Sequence, residues 1–388
     1  MLIIKYPLFK NTSNDVYVSA DIKSINQYCI ENYYILIEYT TENKRFSNDG
    51  GKLYQYYDGI KWNIEFGYKQ IVNKLIVNEI NWNNIGVNWT NLGQQYSQTR
   101  IQCFCYLENS IFLAGTQPNA YILRSIDIGL TWTNTGRLGL SGNVHSIFYA
   151  GDGIVLAFVS SPADIYRSID YGLTWSLVSN SFGNTGYSPA CFNKQKHIYV
   201  GGSGTAKLLK SIDLGQTWTD LNQTFASGQT TFFGLTHLEN DIMLLTSYPT
   251  GNCYRSIDGG INWSYTISFL PSTTIQEITY LGNGIVLMTV FAGGSIARST
   301  DYGLTWTISN KLFSQSRLYS LIYIGNGIVL CGTGATTGKI LKSTDYGLTW
   351  SDMGTQLSET TIFSLSSNEQ GVCLAGTSTG KILKSTSI

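Results

Sequence analysis

From Gln98 onward, short apolar runs with alternating or continuous hydrophobicity are separated by clusters of Gly, Asn, Asp, Ser and Thr. One stretch shows the order clearly. Leu318–Ile324 alternates, Asn326-Gly327 turns the chain, Ile328–Gly332 is apolar throughout, and after a Thr/Gly loop come Lys339–Thr344 and Thr349–Met353. Alternation over so few residues predicts strands, and Asn-Gly between two such runs predicts a hairpin. The unit of about 43 residues is thus four short strands joined by tight turns.

An eight-residue phrase punctuates this unit. Ser343–Trp350 reads Ser-Thr-Asp-Tyr-Gly-Leu-Thr-Trp, and other copies end at Trp132, Trp175, Trp218, Trp263 and Trp306, so successive Trp residues are 43, 43, 45, 43 and 44 apart. A fixed period in this range predicts a β-propeller, each repeat one four-stranded blade. The phrase falls on the turn between third and fourth strands. Its Asp (Asp127, Asp170, Asp213, Asp258, Asp301, Asp345) is placed to accept hydrogen bonds from its own turn, its Gly to supply a left-handed backbone, and its Trp to bury its rings at the start of the fourth strand. These residues read as fold-fixing rather than catalytic.

The C-terminus carries three strand-like runs, Thr361–Ser367, Gly371–Thr377 and Lys381–Ser385, and then only the opening of a further phrase. The missing half lies upstream at Asn84–Thr90, where Trp89 stands 43 residues before Trp132. Gly86–Leu92 is therefore expected to supply the fourth strand of a last blade, closing a ring of seven and leaving no open sheet edge. The domains are then 1–85, a small β-rich docking domain, and 86–388, a seven-bladed propeller.

The phrase Ser/Thr-x-Asp-x-Gly-x-Thr-Trp resembles the Asp-box, or BNR, repeat. That family includes sialidases, sortilin-type receptors, xyloglucan hydrolases and photosystem assembly factors. The resemblance implies an Asp-box propeller and leaves function open, because the fold hosts many activities.

Residues 1–85 lack the phrase. They read as strands at Leu2–Tyr6, Val16–Ser19, Tyr33–Thr40, Lys52–Tyr57, Lys61–Phe66 and Ile71–Val77, with Asp58-Gly59 closing a hairpin. Phe46–Trp62, with Asp49-Gly50-Gly51 and Tyr56-Tyr57-Asp58-Gly59 before Trp62, resembles segments of phage tail and fibre proteins.

Composition narrows the functional classes. Lys and Arg number 25 and Asp and Glu 25, so no general nucleic-acid or anionic-membrane binder is indicated. The seven Cys lie mostly in apolar runs without Cys-x-x-Cys spacing, and the three His are far apart, so neither a disulfide framework nor a zinc site is expected. No stretch reads as a signal peptide or membrane span. Phosphate loops and serine elbows are absent, and no cofactor or metal is expected.

Catalysis finds little support in the residues. Sialidases of this family use three arginines, a Tyr–Glu pair and an Asp. Here Arg124, Arg167, Arg255 and Arg298 occupy one repeat position before the phrase and read as structural, leaving Arg45, Arg100, Arg137 and Arg317. The first strands are expected to line the central channel with Cys103, Ser146, Ala190, Gly234, Glu277, Ser320 and Ser364, of which Glu277 alone is charged. Binding is the better reading. Loops entering the first strands carry Tyr96, Phe182, Tyr187, Phe225, Phe269 and Phe313, and loops joining second to third strands carry Tyr248 and Phe291. In a propeller these loops share one face, where aromatic rings among small polar residues suit glycan or protein recognition, although such rings also cap blade cores. The expectation is a non-enzymatic recognition protein of a phage virion, associated with head or tail. It would dock to other virion proteins through residues 1–85, serve host attachment by binding a host glycan or protein at the propeller face, and involve no nucleic acid and no membrane insertion. The alternatives are a sialidase-like glycoside hydrolase and an intracellular assembly factor.

Overall fold

The computed structural model of the chain describes strands within the first 80 residues, and residues 84–139, 142–161, 163–179, 182–223, 225, 228–268, 274–290, 293–309, 311–334, 337–355, 358–368 and 371–386. Every regular element among them is a strand. The chain divides at Ile85/Gly86 into two compact units, with two short C-terminal segments grouped with the first.

In the N-terminal unit, one sheet centres on Tyr33–Ile37, which pairs with Leu2–Ile3, Cys29–Ile30 and Leu75–Glu79. In a second sheet Val16–Ala20 lies between Phe9–Lys10 and Trp62–Phe66. Gln55–Tyr57 pairs with Trp62–Phe66, Tyr57 opposite Trp62. The Asp58-Gly59 turn itself lies outside the described residues, as does most of Phe46–Trp62.

From Gly86 the repeat becomes a sheet. In the first repeat Arg100–Tyr106, Phe112–Gln117, Tyr121–Ser125 and Thr133–Arg137 pair in chain order, all antiparallel. Second strands are the most apolar and are buried along their length, as in Ile328–Gly334. Fourth strands such as Thr133–Arg137 face solvent. The core therefore lies between sheets. One cluster joins Leu113 and Ile122 of the first repeat to Val144, Val155 and Ala157 of the second. Fully burying each such aliphatic side chain contributes about 1.5–3 kcal/mol.

Five of the propeller sheets are separate and four-stranded, while the two repeats from Gly186 to Ser268 form one eight-stranded sheet. This corrects the expectation of seven separate blades. The cause is local: Ser203, ending a second strand, pairs with Thr231, beginning the next first strand, and their hydroxyls lie 3.2 Å apart. The first strands nonetheless pack in a closed sequence: Arg100–Tyr106 on Asn143–Gly151, then Gly186–Phe192, Thr231–His237, Ile275–Gly282, Arg317–Gly325 and Ile362–Ser367, which returns to Arg100–Tyr106.

Closure of the last sheet joins distant ends of the chain. Thr90–Gln94 pairs antiparallel with Lys381–Thr386, giving a four-stranded sheet whose fourth strand precedes the other three in sequence. The split phrase is rebuilt across this junction. The Gly86 amide donates to Ser385 Oγ at 3.1 Å, as the Gly129 amide does to Ser125 Oγ, and Trp89 Nε1 donates to the Gly86 carbonyl at 2.9 Å.

In intact copies the carboxylate gathers the turn. Ser343 Oγ donates to Asp345 Oδ1 at 2.8 Å, the Thr349 amide donates to the same oxygen at 2.8 Å, and Thr349 Oγ1 donates to Oδ2 at 2.6 Å. The Gly347 amide donates back to Ser343 Oγ, and Trp350 Nε1 to the Gly347 carbonyl. Tyr346 and Gly347 are consecutive left-handed residues, with φ of 58° and 79°. Asp127, Asp170, Asp213, Asp258 and Asp301 repeat the pattern. Trp132, Trp175, Trp263 and Trp306 each donate to their phrase glycine, whereas Trp218 is buried with its indole N–H unpaired.

Candidate recognition site at the leading ends of the first strands

The leading end of each first strand pairs with the trailing end of the second, as Arg100 with Gln117 and Thr231 with Tyr248, so the two loop sets do share a face. Every first strand also carries a β-bulge near this end. The pairing skips one residue in five of them: Gln102, His145, Phe233, Tyr319 and Phe363. In the other two, paired positions are separated by Ser188 and Pro189, and by Gln276 and Glu277.

A bulge inserts one residue and re-aims the side chains beside it. This corrects the expected channel lining. The small residues after the bulge face the neighbouring repeat: Cys103 Sγ donates to the Val144 carbonyl at 3.6 Å, Ser364 Oγ to the Ile101 carbonyl at 3.2 Å, and Ser320 Oγ accepts from the Leu365 amide at 3.1 Å. A Cβ at Gly234 would lie 2.8 Å from Ile278 Cγ2. Small side chains stand there because adjacent first strands nearly touch. The inserted residues just before them are half-buried and form the accessible surface at this end of the ring.

That surface is aromatic and polar. Tyr319 and Phe363 meet edge to face with centroids 4.8 Å apart, and Phe233 meets Tyr248 likewise at 6.1 Å. The Arg100 guanidinium lies 3.8 Å from the centre of the Phe363 ring, and its Nη1 donates to Gln102 Oε1 at 3.3 Å. Burial lowers the pKa of Arg100 and the neighbouring Tyr319 opposes this, yet a guanidinium stays charged. His145 is held below its usual pKa, first by burial and then by the charge of Arg100, so it is neutral at pH 7.

The aromatic residues singled out from sequence divide. Tyr96, Tyr248 and Phe313 are exposed, at 47%, 40% and 41%. Tyr96 is also tethered, its hydroxyl donating to the Trp132 carbonyl. Tyr187 is buried against Phe158, and Phe182 packs on the same cluster. Phe225 packs edge-on against Phe232 and Tyr254. Tyr187 thus completes a core, and Phe182 and Phe225, half-buried, each pack one side against a core cluster. Phe269 and Phe291 lie outside the described residues.

Glu277 is half-buried at its bulge, its amide donating to Thr289 Oγ1 at 3.0 Å. Burial pushes its carboxyl up to about 8. It is the one carboxylate among the residues of the seven first strands. The arginines before the phrase are structural: Arg124, Arg167, Arg255 and Arg298 each donate Nε to a phrase carbonyl of the next repeat, at 2.9–3.0 Å.

Arg100, Gln102, His145, Phe233, Tyr319 and Phe363 were not singled out as binding residues, because strict alternation assigns the wall to the small residue. The signal was present in Ile-Gln-Cys, Val-His-Ser, Phe-Phe-Gly, Leu-Tyr-Ser and Ile-Phe-Ser, each an apolar, a large and a small residue at equivalent places.

No family model matches this chain, and no curated protein matches it in sequence. Solved structures do. A structure described as YCF48 bound to D1 peptide matches with a TM-score of 0.62 at 17% identity, covering 77% of this chain and 96% of that one. Virginiamycin B lyase from Staphylococcus aureus gives 0.66 at 13% identity, covering 77% and 99%. The GH74 xyloglucanase from Xanthomonas campestris gives 0.58 at 13% identity, covering 76% of this chain and 53% of that one. These neighbours differ in function, one bound to a peptide and two named as enzymes, and at such identities the likeness shows the fold alone. This chain is an all-β protein with a β-propeller fold.

Proposed function

We propose that this protein is a non-catalytic recognition protein that meets a glycan or protein partner at the leading ends of its first strands. The observation that carries the reading is the set of inserted residues, which gathers Gln102, His145, Phe233, Tyr319 and Phe363 at one end of the ring. Rings with accessible faces among amide and imidazole groups bind by stacking and directed hydrogen bonds. A two-carboxylate hydrolase needs a second carboxyl group about 5–9.5 Å from the first, and the first strands offer Glu277 alone.

The finer fold reading belongs to the same proposal. The repeated turn is an Asp box, and the eight-stranded sheet is two blades joined at Ser203–Thr231, making a ring of seven. The setting is a phage virion, with residues 1–85 docking the protein to its neighbours. The support for this is in the sequence, in the Phe46–Trp62 resemblance. Genes for capsid or tail proteins beside this one, and its presence in purified particles, test the setting.

A glycan array run beside a glycosidase assay tests the function. The expected result is binding without turnover, lost in a Tyr319→Ala/Phe363→Ala double variant that melts as the parent does. Turnover abolished by Glu277→Gln overturns the reading in favour of a hydrolase.

A further inference from the structure

Arg100 is a half-buried cation without an anion. Its partners are the Phe363 ring and the Gln102 side-chain carbonyl, and no carboxylate lies within ion-pair distance of it among the described residues. Lys339 and Lys381 are neutralised by Asp352 and by the buried Glu359, and Arg124, Arg167, Arg255 and Arg298 spend Nε on a phrase carbonyl of the next repeat. Seating a guanidinium on an aromatic face fixes the plane of its fork and leaves its remaining N–H groups to face outward.

The surroundings of Arg100 select among anions. One guanidinium fork matches one carboxylate in charge and in bidentate geometry, whereas a phosphate dianion asks for a second positive charge. His145 does not supply it, being held neutral by burial and by Arg100 itself. A neutral imidazole offers one donor and one acceptor, and Gln102, with its oxygen taken by Arg100, keeps its amide N–H groups. Donor and acceptor pairs of this kind suit vicinal hydroxyls. The Tyr319 and Phe363 rings beside them suit the C–H faces of a pyranose.

We propose that Arg100, carried on Phe363, is the carboxylate anchor of a saccharide site for hexuronate units, with Tyr319 as the stacking platform and Gln102 and His145 as hydroxyl partners. This rests on the recognition reading above and narrows it to an acidic glycan.

The test uses the full chain and isothermal titration or saturation-transfer NMR with oligoglucuronate, the corresponding oligoglucuronamide and an oligoglutamate peptide. The expected result is binding of the acid at least about tenfold tighter than the amide, a step of about 1.4 kcal/mol. Arg100→Gln should remove that preference and leave the amide unaffected. Arg100→Lys should restore only part of it, since the charge returns without the fork. Melting curves verify that each variant folds. The proposal is overturned if Arg100→Gln leaves the acid preference intact, if acid and amide bind alike, or if none of the probes binds. It is equally overturned if the peptide is preferred through Arg100. Recognition itself stands if neutral glycans or proteins bind through Tyr319 and Phe363 without acid preference, and it falls with the proposal if the saccharides are turned over.

Discussion

At the scale of single residues, the phrase aspartates do most to hold the local fold. Burial acts to raise the pKa of Asp345, but the hydrogen bonds from Thr349 and Ser343 together outweigh it and hold the carboxyl below its usual value. The same balance recurs at Asp127, Asp170, Asp213, Asp258 and Asp301. A depressed folded pKa gives stability that is present above the unfolded value and lost as pH falls through the folded one. Resistance to urea should therefore fall steeply below about pH 4, the ordinary range for Asp. Asp345→Ala should cost about 1–3 kcal/mol at pH 7, since the turn loses the hydrogen bonds that the charged carboxylate accepts from Ser343 and Thr349. Glu277 has the opposite sign. Its folded pKa is raised to about 8, so it holds a proton that the unfolded chain has released, and stability declines as pH climbs from the ordinary Glu range toward 8. Glu277→Gln should raise the melting temperature at pH 8 by about 2–4 °C, with the gain shrinking toward pH 4.

At the scale of elements, repeats are joined as much by glycine as by apolar side chains. A Cβ on Gly347 would lie 2.6 Å from Leu287 Cδ1 in the preceding repeat, and its φ is 79°. Gly129 stands in the same relation to Leu374, and Gly172 to Leu113. Gly347→Ala should destabilise by about 1–3 kcal/mol through overpacking and backbone strain, measured by urea denaturation. Much at this scale was legible in the sequence. The four-strand unit, the turn role of the phrase and an upstream fourth strand follow from period and turn chemistry, although that strand, expected at Gly86–Leu92, runs from Thr90 to Gln94 because Gly86 and Trp89 belong to the turn. The candidate site was not legible, because bulges break the alternation from which facing is read. Cys103, Ser320 and Ser364 were thereby assigned to the wall, while Gln102, Tyr319 and Phe363 were passed over. Tyr187 misled for another reason: an aromatic ring read from sequence as lying in a loop looks the same whether it fills a core or meets a partner, and Tyr187 stands buried in a first strand.

At the scale of the whole molecule, the decisive contact is between Thr90–Gln94 and Lys381–Thr386. Without the former, Lys381–Thr386 would be an open edge able to pair with another chain. A chain beginning at residue 95 should therefore melt at lower temperature and show concentration-dependent oligomers by size-exclusion chromatography with light scattering. A circular permutant joining residue 386 to residue 86 should restore both the monomer and the melting temperature. The eight-stranded sheet makes a second forecast. Thr231→Pro removes a backbone donor where the two repeats meet and should increase amide exchange around Ser203 and Thr231 while leaving the Lys381–Thr386 junction protected. The split phrase also has a consequence for synthesis. Gly86 and Trp89 leave the ribosome long before Ser385, the partner of the Gly86 amide. The intervening repeats can therefore form as translation proceeds, while the split sheet waits for Lys381–Thr386 to emerge. A ribosome stalled before Lys381–Thr386 has emerged would hold an almost complete propeller still lacking the seam that closes it.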